Sequence, residues 1–124
     1  MESSKECMKP PEEVLGRIGW GLYRDFQLYN ILVEAKQAKP GYKTFSELLN
    51  EMGIKFIPQL ASLLRRNQID ETIKKELIED PTGKNEKMAV YSILPKGENV
   101  LGAIRQLYKA FTGKELEYTK PTPS

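Results

Sequence analysis

The sequence predicts a mainly α-helical fold with a small β-hairpin, in the order helix, helix, helix, hairpin, helix. Three observations carry this. Apolar residues recur at three- and four-residue spacing near residues 22–39, 44–52, 58–67 and 98–112. Met88 to Leu94 is rich in Val, Tyr and Ile and follows the turn sequence Asp80-Pro81-Thr82-Gly83-Lys84-Asn85. The chain, 124 residues with 40% hydrophobic and 29% charged side chains, is sized and composed for one core.

Residues 1–13 are polar up to Pro10-Pro11 and are expected to form a flexible arm. Pro11-Glu12-Glu13 starts a helix with proline at the first position and acids in the first turn. Glycines at 16, 19 and 21 interrupt it, so a short helix or irregular arm is expected around Trp20. Leu22 to Lys39 follows as a helix, with Phe26, Tyr29, Leu32 and Val33 on one face and Leu28, Ile31 and Ala35 widening it. Pro40-Gly41 stops it.

Thr44-Phe45-Ser46-Glu47 has the capping-box form and opens a short helix. Phe45, Leu48, Leu49 and Met52 face inward, and Gly53 ends it. The third helix is predicted from Pro58 to about Asn67, with Ile57, Leu60, Ala61 and Leu64 inward and Asn67 closing it in a left-handed conformation. Residues 72–79 fit a strand or a continued helix; as a strand they would pair with 88–94. Pro95-Lys96-Gly97 breaks the chain before the last helix, Glu98 to Thr112, which Gly113 closes. Gly102 within it is placed to allow a close helix crossing. One domain is expected over 14–112, with a flexible tail over 113–124.

Composition narrows the function classes. The chain has no histidine, the commonest general base near neutral pH and the commonest metal ligand. It has no phosphate-cradling glycine loop, and Gly16, Gly19 and Gly21 are in the wrong order for a dinucleotide fingerprint. No enzyme activity, cofactor or metal is therefore expected. A net charge of +2 and a pI near 8.6 permit nucleic-acid binding without demanding it. The single cysteine, Cys7, suits a reducing compartment and is at most an oxidant sensor. With no apolar run long enough to span a bilayer, a cytoplasmic location is expected.

Placement of the polar residues points further. A capped short helix, a tight joint at Gly53-Ile54-Lys55, a third helix and a hairpin describe a winged helix-turn-helix with flanking N- and C-terminal helices. In that arrangement the third helix enters the major groove. Gln59, Ser62 and Arg66 fall within about 60° of one another on it, with Arg65 beside them and Lys55 at its start. Arginine reads guanine and glutamine reads adenine by paired hydrogen bonds. Lys84, Asn85 and Lys87 in the turn, and Lys74 and Lys75 on the incoming segment, suit phosphate contacts. Lys43 and Ser46 stand where a helix N-terminus attracts anions. Each of these residues also fits an ordinary solvated surface.

The stretch Thr44-Phe45-Ser46-Glu47-Leu48-Leu49, the leucine-rich helix after it, and Tyr91-Ser92-Ile93-Leu94-Pro95-Lys96-Gly97-Glu98-Asn99-Val100-Leu101 resemble winged helix-turn-helix transcription regulators. The likeness is to the HxlR, PadR and MarR groups and small archaeal regulators of that kind, over about residues 24–111. It implies double-stranded DNA as partner, transcriptional control and homodimerisation; an effector ligand is left unidentified. Two departures are plain. Leu94-Pro95 stands where a threonine is usual, and Asn67-Gln68-Ile69 where a glycine-leucine pair follows the recognition helix. Val100, Ile104, Leu107 and Phe111 form an apolar seam on the last helix, flanked by Leu101 and Tyr108. With Trp20 these form the expected dimer interface. Alternatives are a winged-helix protein-interaction module, and a single-strand binder using Tyr42, Phe56 and Tyr118.

Overall fold

The computed structural model describes residues 12–118 except residue 85, with side chains from residue 18 onward. Residues 1–11 of the expected arm (1–13), Cys7 among them, and Asn85 lie outside the described residues, while Glu12 and Glu13 already belong to the first helix rather than to an arm. Among the described residues, four helices and one small antiparallel sheet follow in the order α1 (Glu12–Lys36), β1 (Lys43–Thr44), α2 (Phe45–Met52), α3 (Ile57–Ile69), β2 (Ile73–Glu79), β3 (Lys87–Ile93) and α4 (Pro95–Thr112).

Helix α1 is the centre of the molecule. Asp25 to Tyr29 are all buried, as are Ile31, Leu32 and Ala35, the pattern of a helix covered on nearly every side. It packs on α4, on β3 and on α2. The short helix and the long one expected in sequence form one run, broken at Gly19 (φ 79°, ψ 168°). That conformation is open to glycine and strained for any other residue. The helix ends at Lys36, three residues short of Lys39.

The capping box forms at Thr44: the Glu47 N–H donates to its hydroxyl at 3.2 Å, and its own N–H donates to Glu47 Oε1 at 2.9 Å. The same residue ends a two-residue strand that sequence reading missed. Lys43 and Thr44 pair with Tyr91 and Val90, so the sheet order is β1-β3-β2. Two residues carry too little periodicity to be seen in sequence.

Residues 72–79 resolve to a strand from Ile73, in register with β3 from Ile73↔Ile93 to Glu79↔Lys87. The connecting turn is held by Asp80 Oδ1, which accepts from the Thr82 N–H at 2.8 Å and the Thr82 hydroxyl at 2.7 Å, with Gly83 at positive φ.

Asn67 does not end α3. It lies inside the helix, 1% exposed, and the left-handed residue is Glu71 (φ 62°). The Thr72 N–H donates to Asn67 O and the Glu71 N–H to Gln68 O, so a Schellman motif closes the helix with glutamate where glycine is usual. Gly53 plays that part for α2, with the same pair of bonds to Leu49 and Asn50.

Helix α4 begins earlier than expected because Pro95 occupies its first turn, where a missing N–H costs nothing. Gly102 faces open space and makes no helix crossing. The chain stays seated past Gly113: Leu116 is buried, and the Tyr118 ring meets Phe26 edge-on at 6.4 Å. The expected tail is therefore packed as far as Tyr118, and residues 119–124 lie outside the described residues.

Candidate functional site

Helix α3 has a buried side made by Leu60, Leu63, Leu64 and Asn67. Opposite it, Pro58, Ser62, Arg65 and Ile69 fall within about 60° of one another, and all four are exposed. This outermost stripe is rotated from the Gln59–Ser62–Arg66 stripe expected in sequence. Arg65 has no ion-pair or hydrogen-bond partner among the described residues. Gln59 and Arg66, both exposed, lie on the flank of α3 that faces α1. Lys55 is exposed in the joint before α3.

Arg66 is tied down. Its Nη2 donates to Asp25 Oδ1 of α1 at 2.5 Å, and Asp25 is 8% exposed. The same oxygen accepts from Asn67 Nδ2 at 3.0 Å. Asn67 Nδ2 also donates to Leu63 O, while Asn67 Oδ1 accepts from the Tyr29 hydroxyl and lies 2.7 Å from the Thr72 hydroxyl. Asp25, Tyr29, Asn67 and Thr72 are all buried. This network sets α3 on α1 and joins its far end to β2. Sequence reading missed it; the signal was Asp25 and Gln27 standing inside the apolar run of α1.

Between α3 and the kinked start of α1 lies a cleft of about 230 Å³, lined by Trp20, Gly21, Arg24, Gln59, Ser62 and Arg66 with Ile54 and Leu63 behind them. Arg24 stacks 5.4 Å from the Trp20 ring centre, and burial holds its pKa below the ordinary arginine value. Trp20 thus stands beside α3 rather than in an α4 seam.

The hairpin carries the other cations. Lys75, Lys84 and Lys87 are exposed, and Lys74 makes a solvent-exposed pair with Glu76 at 3.5 Å. Lys43 is not available as expected: its ammonium pairs with Glu51 at 2.5 Å in a largely covered position, and that hydrogen bond raises its pKa. Ser46 is exposed in the first turn of α2. Phe56, Ile57 and Ile69 are 66%, 58% and 74% exposed at the two ends of α3, so Ile57 does not face inward as its spacing predicts.

The expected dimer seam divides. Leu101, Ile104 and Tyr108 are buried within the chain and belong to its core. They are corrected to intramolecular packing, because α4 turns this face onto α1. Val100 is partly buried against the same core, while Leu107 and Phe111 remain exposed.

Among the described residues no cluster of Cys, Asp or Glu could hold a metal ion, and no helix is long and apolar enough to cross a membrane. The chain matches no protein-family model, no curated protein and no solved structure.

Proposed function

We propose that the chain is a winged helix-turn-helix protein that binds specific double-stranded DNA sites as a homodimer, regulates transcription and catalyses no reaction. The observation that carries this reading is the exposed outward face of α3, where Ser62 and Arg65 stand between Pro58 and Ile69 with Gln59 on the flank, followed at once by the lysine-bearing β2–β3 hairpin. Helix α2 leads through the Gly53 turn directly into the joint before α3, and a helix of about 10–12 Å diameter fits a major groove about 12 Å wide. Arg65 and Ser62 then meet base edges, with Gln59 beside them. Phe56, Ile57 and Ile69 offer apolar contacts of the kind thymine methyl groups take. Lys75, Lys84 and Lys87 meet phosphates.

Arg65→Ala should weaken the preferred duplex by about 1–3 kcal/mol and relax its sequence preference, because a base-edge contact is lost. Replacing Lys84 and Lys87 together by alanine should weaken all duplexes alike and reduce the salt slope by about one to two units. Fluorescence anisotropy over a salt series measures both. Identical behaviour of the two sets would contradict the assignment of α3. Arg66 is the poorer probe, since its loss also strips Asp25 of a partner.

The homodimer now rests on Leu107 and Phe111. Changing both to glutamate should give a folded monomer, whereas Ile104→Glu alone should unfold the domain by burying a charge. Sedimentation with circular dichroism separates these outcomes; a monomeric unmodified protein at micromolar concentration would remove the dimer.

One observation favours a second reading. Phe56, Ile57, Ile69 and Leu77 are large apolar side chains exposed on α3 and β2, and such surface also serves protein partners. A winged-helix interaction module would bind no duplex and would lose its partner on Phe56→Ala. The single-strand alternative is less well served: Tyr42 is half-covered and Tyr118 packs on Phe26, leaving Phe56 without a neighbouring aromatic platform.

A further inference from the structure

Strand β2 ends the sheet, with β3 on one side and no strand on the other among the described residues. The Leu94 N–H donates to Thr72 O at 2.9 Å, one step before the Ile73↔Ile93 pair. Hydrogen-bonded pairs alternate along an antiparallel ladder. Lys74, Glu76 and Ile78 therefore bond to β3, while Lys75, Leu77 and Glu79 turn their N–H and C=O groups to the open edge. All three are exposed, Leu77 to 64%. Such an edge is a template for another strand. Neither Lys75 nor Glu79 makes an ion pair within the chain among the described residues.

We infer that β2 pairs antiparallel with β2 of a second copy of this chain, about a two-fold axis at Leu77. With Leu77 opposite Leu77, Lys75 of each copy stands opposite Glu79 of the other, and the edge groups of all three residues find partners. The neighbouring registers do worse. An axis at Glu76 sets Glu76 against Glu76, and one at Lys75 sets Lys75 against Lys75, like charges directly opposed. An axis at Ile78 sets Lys75 opposite Pro81, which has no N–H to give. A groove of about 530 Å³ beside the start of β2 supplies a second match. Lys74, Lys75 and Lys96 line it against one acid, Glu71, and the Leu77 register lays the second copy's Glu79 and Asp80 alongside it. Where copies pair, Lys75 turns to Glu79 and leaves phosphates to Lys84 and Lys87, which lie on the turn and β3, outside the pairing. The contact needs no DNA and is separate from Leu107 and Phe111 on α4. A chain with both faces joins dimers into rows.

Disulfide trapping of the full-length chain without DNA tests this, with Cys7→Ser removing its single cysteine. Directly opposed residues of a hydrogen-bonded pair lie about 5.5 Å apart between Cα atoms, within disulfide reach. Diagonal neighbours lie about 7–8 Å apart, beyond it. In one glutathione buffer at equal protein concentration, Leu77→Cys should give about tenfold or more the disulfide dimer that Glu76→Cys gives. Adding Lys75→Glu to Leu77→Cys should cut that dimer about fivefold or more, since two attractive pairs become repulsive. Adding Glu79→Lys as well should restore it, a rescue that simple misfolding would not allow. All of these positions are exposed, so circular dichroism should be unchanged throughout. Equal trapping at positions 76 and 77, no loss with Lys75→Glu, or no rescue by the second reversal would overturn the interface.

Discussion

Gly97→Ala should destabilise the protein by about 3 kcal/mol, the upper range for forcing an extra methyl into a packed site. Gly97 is buried in the first turn of α4. A Cβ there would lie 2.3 Å from the Thr72 carbonyl oxygen and 2.8 Å from Ile93 Cγ1. That carbonyl is backbone and already fixed, accepting the Leu94 N–H at 2.9 Å. Relief therefore requires the start of α4 to move away from the junction of α3 and β2. Gly102→Ala on the same helix is the control. Its new methyl meets nothing within 4 Å, so it should stabilise by about 0.5–1 kcal/mol through helix propensity. Urea unfolding of both variants measures the contrast, and similar midpoints would contradict the close approach.

Asn67→Leu should cost about 3 kcal/mol although the new side chain branches in the same way. Asn67 uses both donors and its oxygen fully, toward Asp25, Leu63, Tyr29 and Thr72. Removing it orphans the buried Tyr29 hydroxyl and takes one of two donors from Asp25 Oδ1, each worth about 1–3 kcal/mol, while the Thr72 hydroxyl keeps its bond to the residue-67 carbonyl. Urea unfolding measures the loss, and a shift below about 1 kcal/mol would show that water or rearrangement replaces these bonds. Burial also raises the Tyr29 phenol above its ordinary value of 10.0. A group raised on folding contributes stability that is fully present below its unfolded pKa and lost as pH rises through the folded one. Stability should therefore decline above about pH 10, and Tyr23, Tyr91 and Tyr118, also raised by burial, act in the same sense.

Much of this architecture is legible in sequence because it is local. The Thr44 capping box, the Gly53 and Gly113 helix ends and the turn at Asp80 each follow from side chains a few residues apart. The position of α3 on α1 is not local, and there the reading slipped. The stripe of Gln59, Ser62 and Arg66 was centred opposite Leu60 and Leu64 alone. Burial of Leu63 and Asn67 rotates the outer face toward Arg65 and leaves Arg66 to Asp25, a partner 41 residues away. The seam of α4 was misread for a related reason. Periodicity shows that Leu101, Ile104 and Tyr108 share a face, but only packing shows that α1 already covers it.

The claim that α3 reads specific DNA is tested most directly by selecting from a random duplex library with the full-length protein near 0.15 M salt, then competing selected against scrambled duplex. The expected result is an inverted repeat with half-sites about 10 base pairs apart, centre to centre, bound about a thousandfold or more tighter than scrambled duplex, with affinity falling steeply as salt rises. No enriched sequence, with selected and scrambled duplexes bound equally or not at all, would contradict it.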